Sequence, residues 1–175
     1  DDQVGLAIAP QARARQFARY RAFQQRLQAI DRMELDLRAQ TNYDVLAFEL
    51  ASRLSFQNIP EHLLPVNQMD SVPMTLANYA GGEAGQPLTI VKQYKAYLNR
   101  LNQLPAWTDQ AIANMREGMK RGIVLQKAAA VSMLPQFQKL ASNEPEASIF
   151  YEPIKNLPAG FSEADKRSLT NAYRG

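Results

Sequence analysis

His62 is the single histidine of a chain that has no cysteine, so metal and nucleophile chemistry have few residues to draw on. Zinc sites are built from Cys and His at short spacings, with carboxylates as additional ligands. A site around His62 would need carboxylates from scattered positions, and Glu61-His62 lacks the second histidine four residues on that a zincin helix presents. No Gly-x-Ser-x-Gly elbow exposes a serine, and Gly81-Gly82 lacks the Lys-Ser/Thr that completes a phosphate loop. Counting alone leaves a Ser/His/Asp arrangement around His62 open. The plainer reading is a surface histidine near a helix end, with no metal and no cofactor bound by this chain. Paired carboxylates for acid/base work are not evident, because the acidic residues stand mostly beside arginines and lysines.

Two further groups have polar chemistry. Asn67, Gln68 and Asp70 bring three polar side chains into an apolar run, which makes them candidates for the wall of a substrate cleft. The same pattern describes an ordinary turn, where Asn and Asp bond to nearby backbone, and that reading is preferred. Arg13, Arg15, Arg19, Arg21 and Arg26 give one early segment a basic side. A nucleic-acid surface normally needs a stronger charge asymmetry than the chain's net +3, so a solvated helix face is preferred and no nucleic-acid partner is expected.

These residues need elements to hold them, and the 175 residues, 46% of them hydrophobic, are enough to bury one core. The pattern predicts an all-α fold, an irregular multi-helix bundle of five to seven helices with long loops. A helical pair is expected over about 10–58. Pro10 opens the first helix, with Phe17, Tyr20, Phe23, Leu27 and Ile30 inside. After a turn over Asp31–Gln40, a second helix begins near Thr41 or Asn42, faces Val45, Leu46, Leu50 and Leu54 inward, and ends at Asn58-Ile59-Pro60. Residues 59–88 read as irregular, divided by Pro65 and Pro73, with a glycine-rich mobile connection over Ala80–Gln86.

A central three-helix block is expected over 89–141. Thr89 caps its first helix, which places Val91, Tyr94, Leu98 and Leu101 on one side. Pro105 starts the second, with Ile112, Met115, Met119 and Ile123 in a stripe and Ala111, Gly118 and Gly122 beside it. Glycines inside a helix cost about 1 kcal/mol each against alanine, so close approach of another helix is their expected use. The third helix runs from Lys127 with Ala130, Leu134, Phe137 and Leu140 inside and a kink from Pro135. A loop over 142–161, pinned by Ile149-Phe150-Tyr151, leads to a further helix over 162–175, capped by Ser162 and facing Leu169 and Tyr173 inward. No run approaches the roughly 18 apolar residues of a membrane helix. The absence of cysteine leaves the compartment open.

Several words of the chain are family-specific: Tyr97-Leu98-Asn99-Arg100-Leu101, Leu104-Pro105-Ala106 with Asp109-Gln110-Ala111-Ile112, Met115-Arg116-Glu117-Gly118, and Gly122-Ile123-Val124-Leu125. With Ala29-Ile30-Asp31, Leu64-Pro65-Val66-Asn67-Gln68, Phe150-Tyr151-Glu152-Pro153 and Asn156-Leu157-Pro158 in order, the chain resembles the bacterial family known as domain of unknown function 885. Gln126 departs from a proline common in that family, and is expected only to change how the third helix starts. The resemblance implies an all-helical relative of zinc metallopeptidases, often exported or lipid-anchored in bacteria with an outer membrane. It therefore implies a cell-envelope or periplasmic location, zinc in the full-length protein, and a peptide substrate. Family members are much longer, and their metal-binding His-Glu motif lies downstream of the part matched, so no catalytic residue carries over. The chain is then expected to be an N-terminal, non-catalytic scaffold segment that continues past Gly175 and has the remainder of the same protein as its partner. The alternative is a self-contained helical module that binds another protein.

The preferred reading of the arginine side has a direct check. Duplex DNA binding at physiological salt is expected to be negligible; micromolar binding that weakens steeply with salt and vanishes when Arg13, Arg19 and Arg26 become Gln would reverse that reading.

Overall fold

Pro10 stands at the first position of a helix, where its missing N–H leaves no bond unmade, and the chain from there on is helical wherever it is regular. The computed structural model describes residues 3–81, 87–142 and 144–174; most of the connection expected over Ala80–Gln86 lies outside them. Among the described residues there are seven α-helices, short 3-10 turns and no strand, in agreement with the all-α expectation. The chain forms two compact units, Ala7–Leu63 and Asp1–Leu6 with Leu64–Gly175.

The first unit is a helical hairpin of α1 (Pro10–Gln28) and α2 (Leu37–Ser55). Arg13, near the start of α1, donates to Glu61 Oε1 at 2.9 Å and to the Ile59 carbonyl at 3.1 Å, beyond the end of α2, so the pair is antiparallel. α2 begins at Leu37, earlier than the Thr41 or Asn42 expected, because Asp36 caps it by accepting from the Ala39 N–H at 2.8 Å. Phe17, Leu27 and Leu50 are buried between the helices. Phe23, Ile30, Val45 and Leu46, expected inside, are exposed, since two helices alone cannot enclose apolar residues spread over most of each circumference. Leu37, Val45 and Phe48 lie on the side of α2 roughly opposite Leu50 and are 82%, 59% and 72% exposed.

The second unit holds α3 (Val72–Ala80), α4 (Val91–Lys120), α5 (Lys127–Leu140), α6 (Glu152–Lys155) and α7 (Glu163–Arg174). α3 occupies part of the segment read as irregular. Ser71 caps it and Pro73 falls in its first turn, where a proline breaks no bond, so a residue that looked like a divider is an initiator. The central block contains two helices where three were expected. α4 runs through Pro105 for 30 residues, so Pro105 is interior and starts nothing. An interior proline costs about 3 kcal/mol, and fully burying one large apolar side chain contributes about 1.5–3 kcal/mol. Tyr94 and Tyr97 on one side of Pro105 and Trp107 and Ala111 on the other are all buried, which is enough to keep both halves in one helix.

The start of α4 also differs from expectation. Thr89 is not the cap; the Gln93 side chain reaches back to accept from the Thr89 and Ile90 N–H groups at 2.8 and 3.1 Å. In its C-terminal half the buried stripe is Trp107, Ala111, Asn114 and Gly118, while Ile112 and Met119 are exposed. Gly122 is outside the helix. It has φ +69°, and the Gly122 and Ile123 N–H groups donate to the Met119 and Gly118 carbonyls, which is the Schellman arrangement that ends a helix. A Cβ placed on Gly122 meets nothing within 4 Å, so the close helix contact expected of it is replaced by a backbone requirement. In α5 the expected inner side holds only in its second half: Phe137 and Leu140 are half-buried, while Ala130 and Leu134 are exposed and Met133 is buried in their place. Pro135 sits inside α5. Ser162 caps α7 as expected, and Leu169 and Tyr173 are buried.

Two substitutions separate these roles of glycine. Gly122→Ala is expected to lower stability by about 1 kcal/mol through left-handed strain alone. Gly118→Leu, which overfills a buried helix face, is expected to cost about 1–3 kcal/mol or more. Chemical denaturation of both variants checks the ordering; equal midpoints for Gly118→Leu and the parent chain would remove the packing role of Gly118. In the hairpin, Leu50→Ala is expected to cost about 2–5 kcal/mol and Phe48→Ala under about 0.5 kcal/mol.

Candidate functional site

The side chains with hydroxyl, carboxylate and imidazole chemistry decide what the molecule can do, and several of them are engaged in holding helices. Tyr97 is completely buried on α4 and donates its hydroxyl to the Leu76 carbonyl of α3 at 2.8 Å. Tyr173 of α7 donates in the same way to the Tyr94 carbonyl of α4 at 2.8 Å. The Tyr97 and Tyr173 rings stack at 6.3 Å, and Phe161 meets Tyr94 edge-on at 5.5 Å. Leu76, Ala80, Tyr151, Ile154 and Leu169 complete this core. Burial pushes the Tyr97 phenol well above its ordinary value. Tyr173 is raised by burial first and then by the neighbouring Tyr97 and Tyr94. Both phenol hydroxyls are engaged as donors to helix carbonyls.

The carboxylates are handled differently. In the hairpin, Gln16, Tyr20, Glu49, Ser52, Arg53 and Glu61 help line a hollow of about 370 Å³. Glu61 pairs with Arg13 at 2.9 Å and Glu49 with Arg53 at 3.3 Å, so both carboxylates there have cations beside them. Arg53 also lies over the Tyr20 ring at 5.8 Å, and Arg13 over Phe17 at 5.2 Å. Arg13 of the basic side is thus committed within the hairpin, as is Arg21, which donates to Gln57. Arg32 grips Asp44 with two bonds of 2.7 Å, and that hydrogen bonding holds the Asp44 carboxyl below the usual carboxylate range.

The residues singled out in the sequence are not gathered into one place. His62 lies half-buried in a 3-10 turn, Glu61–Leu63, after α2, near the helix end where the plain reading put it. Asn67, Gln68 and Asp70 are exposed. Asn67 accepts from the Met69 and Asp70 N–H groups at 2.8 and 2.9 Å and donates its own N–H to the Asp70 carbonyl, which is a turn closed on itself. The Gln68 carbonyl accepts from Gln136 of α5 at 3.3 Å. Ala111 and Gly118 share the buried stripe of α4, and Gly122 ends that helix. Among the described residues no three His, Cys, Asp or Glu side chains come together as a metal site would require.

A second hollow, of about 450 Å³, was not anticipated. It lies beside Pro105 on α4, lined by Leu101, Leu104, Pro105, Thr108, Asp109 and Phe150.

Compared with protein-family models, the whole of residues 1–175 matches the family described as "Bacterial protein of unknown function (DUF885)". The chain belongs to this family. No curated protein and no solved structure matches it. The DUF885 words quoted from the sequence now have places in the fold. Tyr97-Leu98-Asn99-Arg100-Leu101 contributes Tyr97 to the core, and the stretch through Pro105 and Asp109 forms the unbroken middle of α4. Gly122 ends α4, and Phe150-Tyr151-Glu152-Pro153 forms the turn into α6 that buries Tyr151.

The tyrosine core is expected to give this DUF885 chain an alkaline limit. Unfolded phenols titrate near pH 10, and the folded values of Tyr94, Tyr97 and Tyr173 are raised above that. Their contribution is therefore fully present below about pH 10 and is lost as pH rises toward the folded values. Denaturation midpoints are expected to be insensitive to these groups up to about pH 10 and to fall beyond it. Tyr97→Phe and Tyr173→Phe should each lower neutral-pH stability by about 1 kcal/mol and make the alkaline fall shallower. An alkaline profile unchanged in both variants would show that these phenols do not set the limit.

Proposed function

We propose that the chain is a non-catalytic helical scaffold segment of a metallopeptidase-like DUF885 protein, forming one wall of a substrate cleft whose metal is held by other residues of the full-length protein. On this reading zinc is the cofactor of that protein, a peptide its substrate, the rest of the same protein the partner of this segment, and the cell envelope its location. Those four points rest on the family resemblance. The observation that carries the scaffold role is the use of the polar side chains. The Tyr97 and Tyr173 hydroxyls are given to helix carbonyls, and the carboxylates of the hairpin hollow are paired with arginines. Groups so engaged position helices and are poorly placed to transfer protons or hold a cation.

A second reading, a self-contained helical module that binds a protein, is favoured by the exposed Leu37, Val45 and Phe48 on the outer side of α2. Metal analysis and a peptide-cleavage screen on the 175-residue chain test the scaffold role. The expected result is no stoichiometric zinc and no turnover. Tightly bound zinc at about one per chain, of the kind that structural and catalytic sites retain, or turnover that disappears in His62→Ala, would overturn it.

A further inference from the structure

Pro105 gives α4 a feature that its scaffold role does not require. A proline has no N–H, so the Leu101 carbonyl one turn earlier lacks the helical bond it would otherwise receive. On the same side Leu101, Leu104, Pro105, Thr108, Asp109 and Phe150 line a hollow of about 450 Å³, within the range of small-ligand sites. Its walls are apolar. Its polar groups are the Asp109 carboxylate, the Thr108 hydroxyl and the backbone, and no lysine or arginine lines it. Asp109 is exposed and no cation stands three or four residues from it on α4, where Pro105, Ala106, Ile112 and Ala113 occupy those positions. The carboxylates of the hairpin hollow have arginines beside them; the one here has apolar neighbours. Phe150 supplies an aromatic ring, whose face attracts a cation.

A negative charge and acceptor oxygens on an otherwise apolar surface complement one kind of group. We propose that this hollow binds the ammonium of a primary amine that carries an apolar body, either a free aralkylamine or the amino terminus of a peptide that begins with an apolar residue. The ammonium sits against Asp109 and donates to it, with Thr108 and the Leu101 carbonyl as further acceptors, and the apolar body lies against Leu101, Leu104 and Phe150. This assignment stands apart from the scaffold reading, since it needs no metal and no residue outside the chain.

The test is a titration of the whole chain followed by backbone-amide NMR shifts, with phenethylammonium and its neutral counterpart phenethyl alcohol as probes. Saturable shifts are expected at residues 101–109 and at Phe150. The ammonium should bind about two- to fivefold more tightly than the alcohol, the size of an exposed ion pair. Asp109→Asn, a substitution at an exposed position, should remove that preference while leaving alcohol binding in place. Equal affinity for the two probes, a preference that survives Asp109→Asn, or shifts that saturate only elsewhere would each overturn the proposal. Phenylalanyl-glycine amide and its N-acetylated form then separate the two sources. Binding by the free terminus that is lost on acetylation assigns the site to peptide termini, and binding by phenethylammonium alone assigns it to free amines.

Discussion

The hydroxyl of Tyr97 is buried completely, and a phenol in that position must donate to something or lose the hydrogen bond that water gave it. It donates to the Leu76 carbonyl, and Tyr173 donates to the Tyr94 carbonyl. A helix carbonyl has two lone pairs and spends one on its own helix, so each phenol takes up the second. The consequence is geometric. α3 is set against α4 at the height of Tyr97, and α7 against α4 at the height of Tyr94. The stacked Tyr97 and Tyr173 rings then fix the two contacts relative to each other. Apolar packing alone fills volume without specifying register; two directed bonds inside that packing specify it.

Everything else in the second unit is arranged to let α4 carry those tyrosines. Gln93 closes its first turn from the side, the Schellman arrangement at Gly122 closes its last, and Pro105 in the middle is outweighed by buried side chains on both halves. The proline matters in another way, because it leaves a carbonyl without its helical donor beside an apolar wall and a carboxylate. A helix stabilised chiefly by its buried stripe can accommodate such a defect on its exposed side, and functional features concentrate in places of that kind. Residues 3–6 are also tied in, with the Val4 N–H donating to Gln103 of α4 at 3.1 Å.

The hairpin follows a different principle. Its core is small, and its register depends on polar links that join distant positions: Arg13 to Glu61, Arg21 to Gln57, and Arg32 to Asp44. Exposed ion pairs are individually weak, about 0–1 kcal/mol, so these links select an arrangement more than they stabilise it. The arginines of α1 that looked like a basic surface divide accordingly. Arg13 and Arg21 reach across the hairpin, and Arg26 lies over Phe23 on its own helix. α2 has apolar residues on two sides, Leu50 facing α1 and Leu37, Val45 and Phe48 facing outward.

The sequence by itself determined the all-helical class, because three-and-four spacing of apolar residues is a local property that survives any choice of partner. It also determined the opening of α1 at Pro10, the cap at Ser162, the buried pair Leu169 and Tyr173, and the family. The tertiary structure decided what depends on comparing distant terms. Whether Pro105 breaks a helix or is carried through it turns on burial of Trp107 and of Tyr97, whose partners Leu76 and Tyr173 are far away in sequence. Which side of α4 and α5 is inside was likewise settled by packing: Gly118, Ala111 and Met133 are buried, where Ile112, Met119 and Leu134 have the more apolar pattern. Gly122 was expected as a close helix contact, and its φ of +69° with the Schellman bonds around it makes it a helix stop instead. The hollow at Asp109 was the least legible feature. It exists because Phe150 is brought beside a stretch of α4 more than 40 residues away, and no spacing within either segment encodes that meeting.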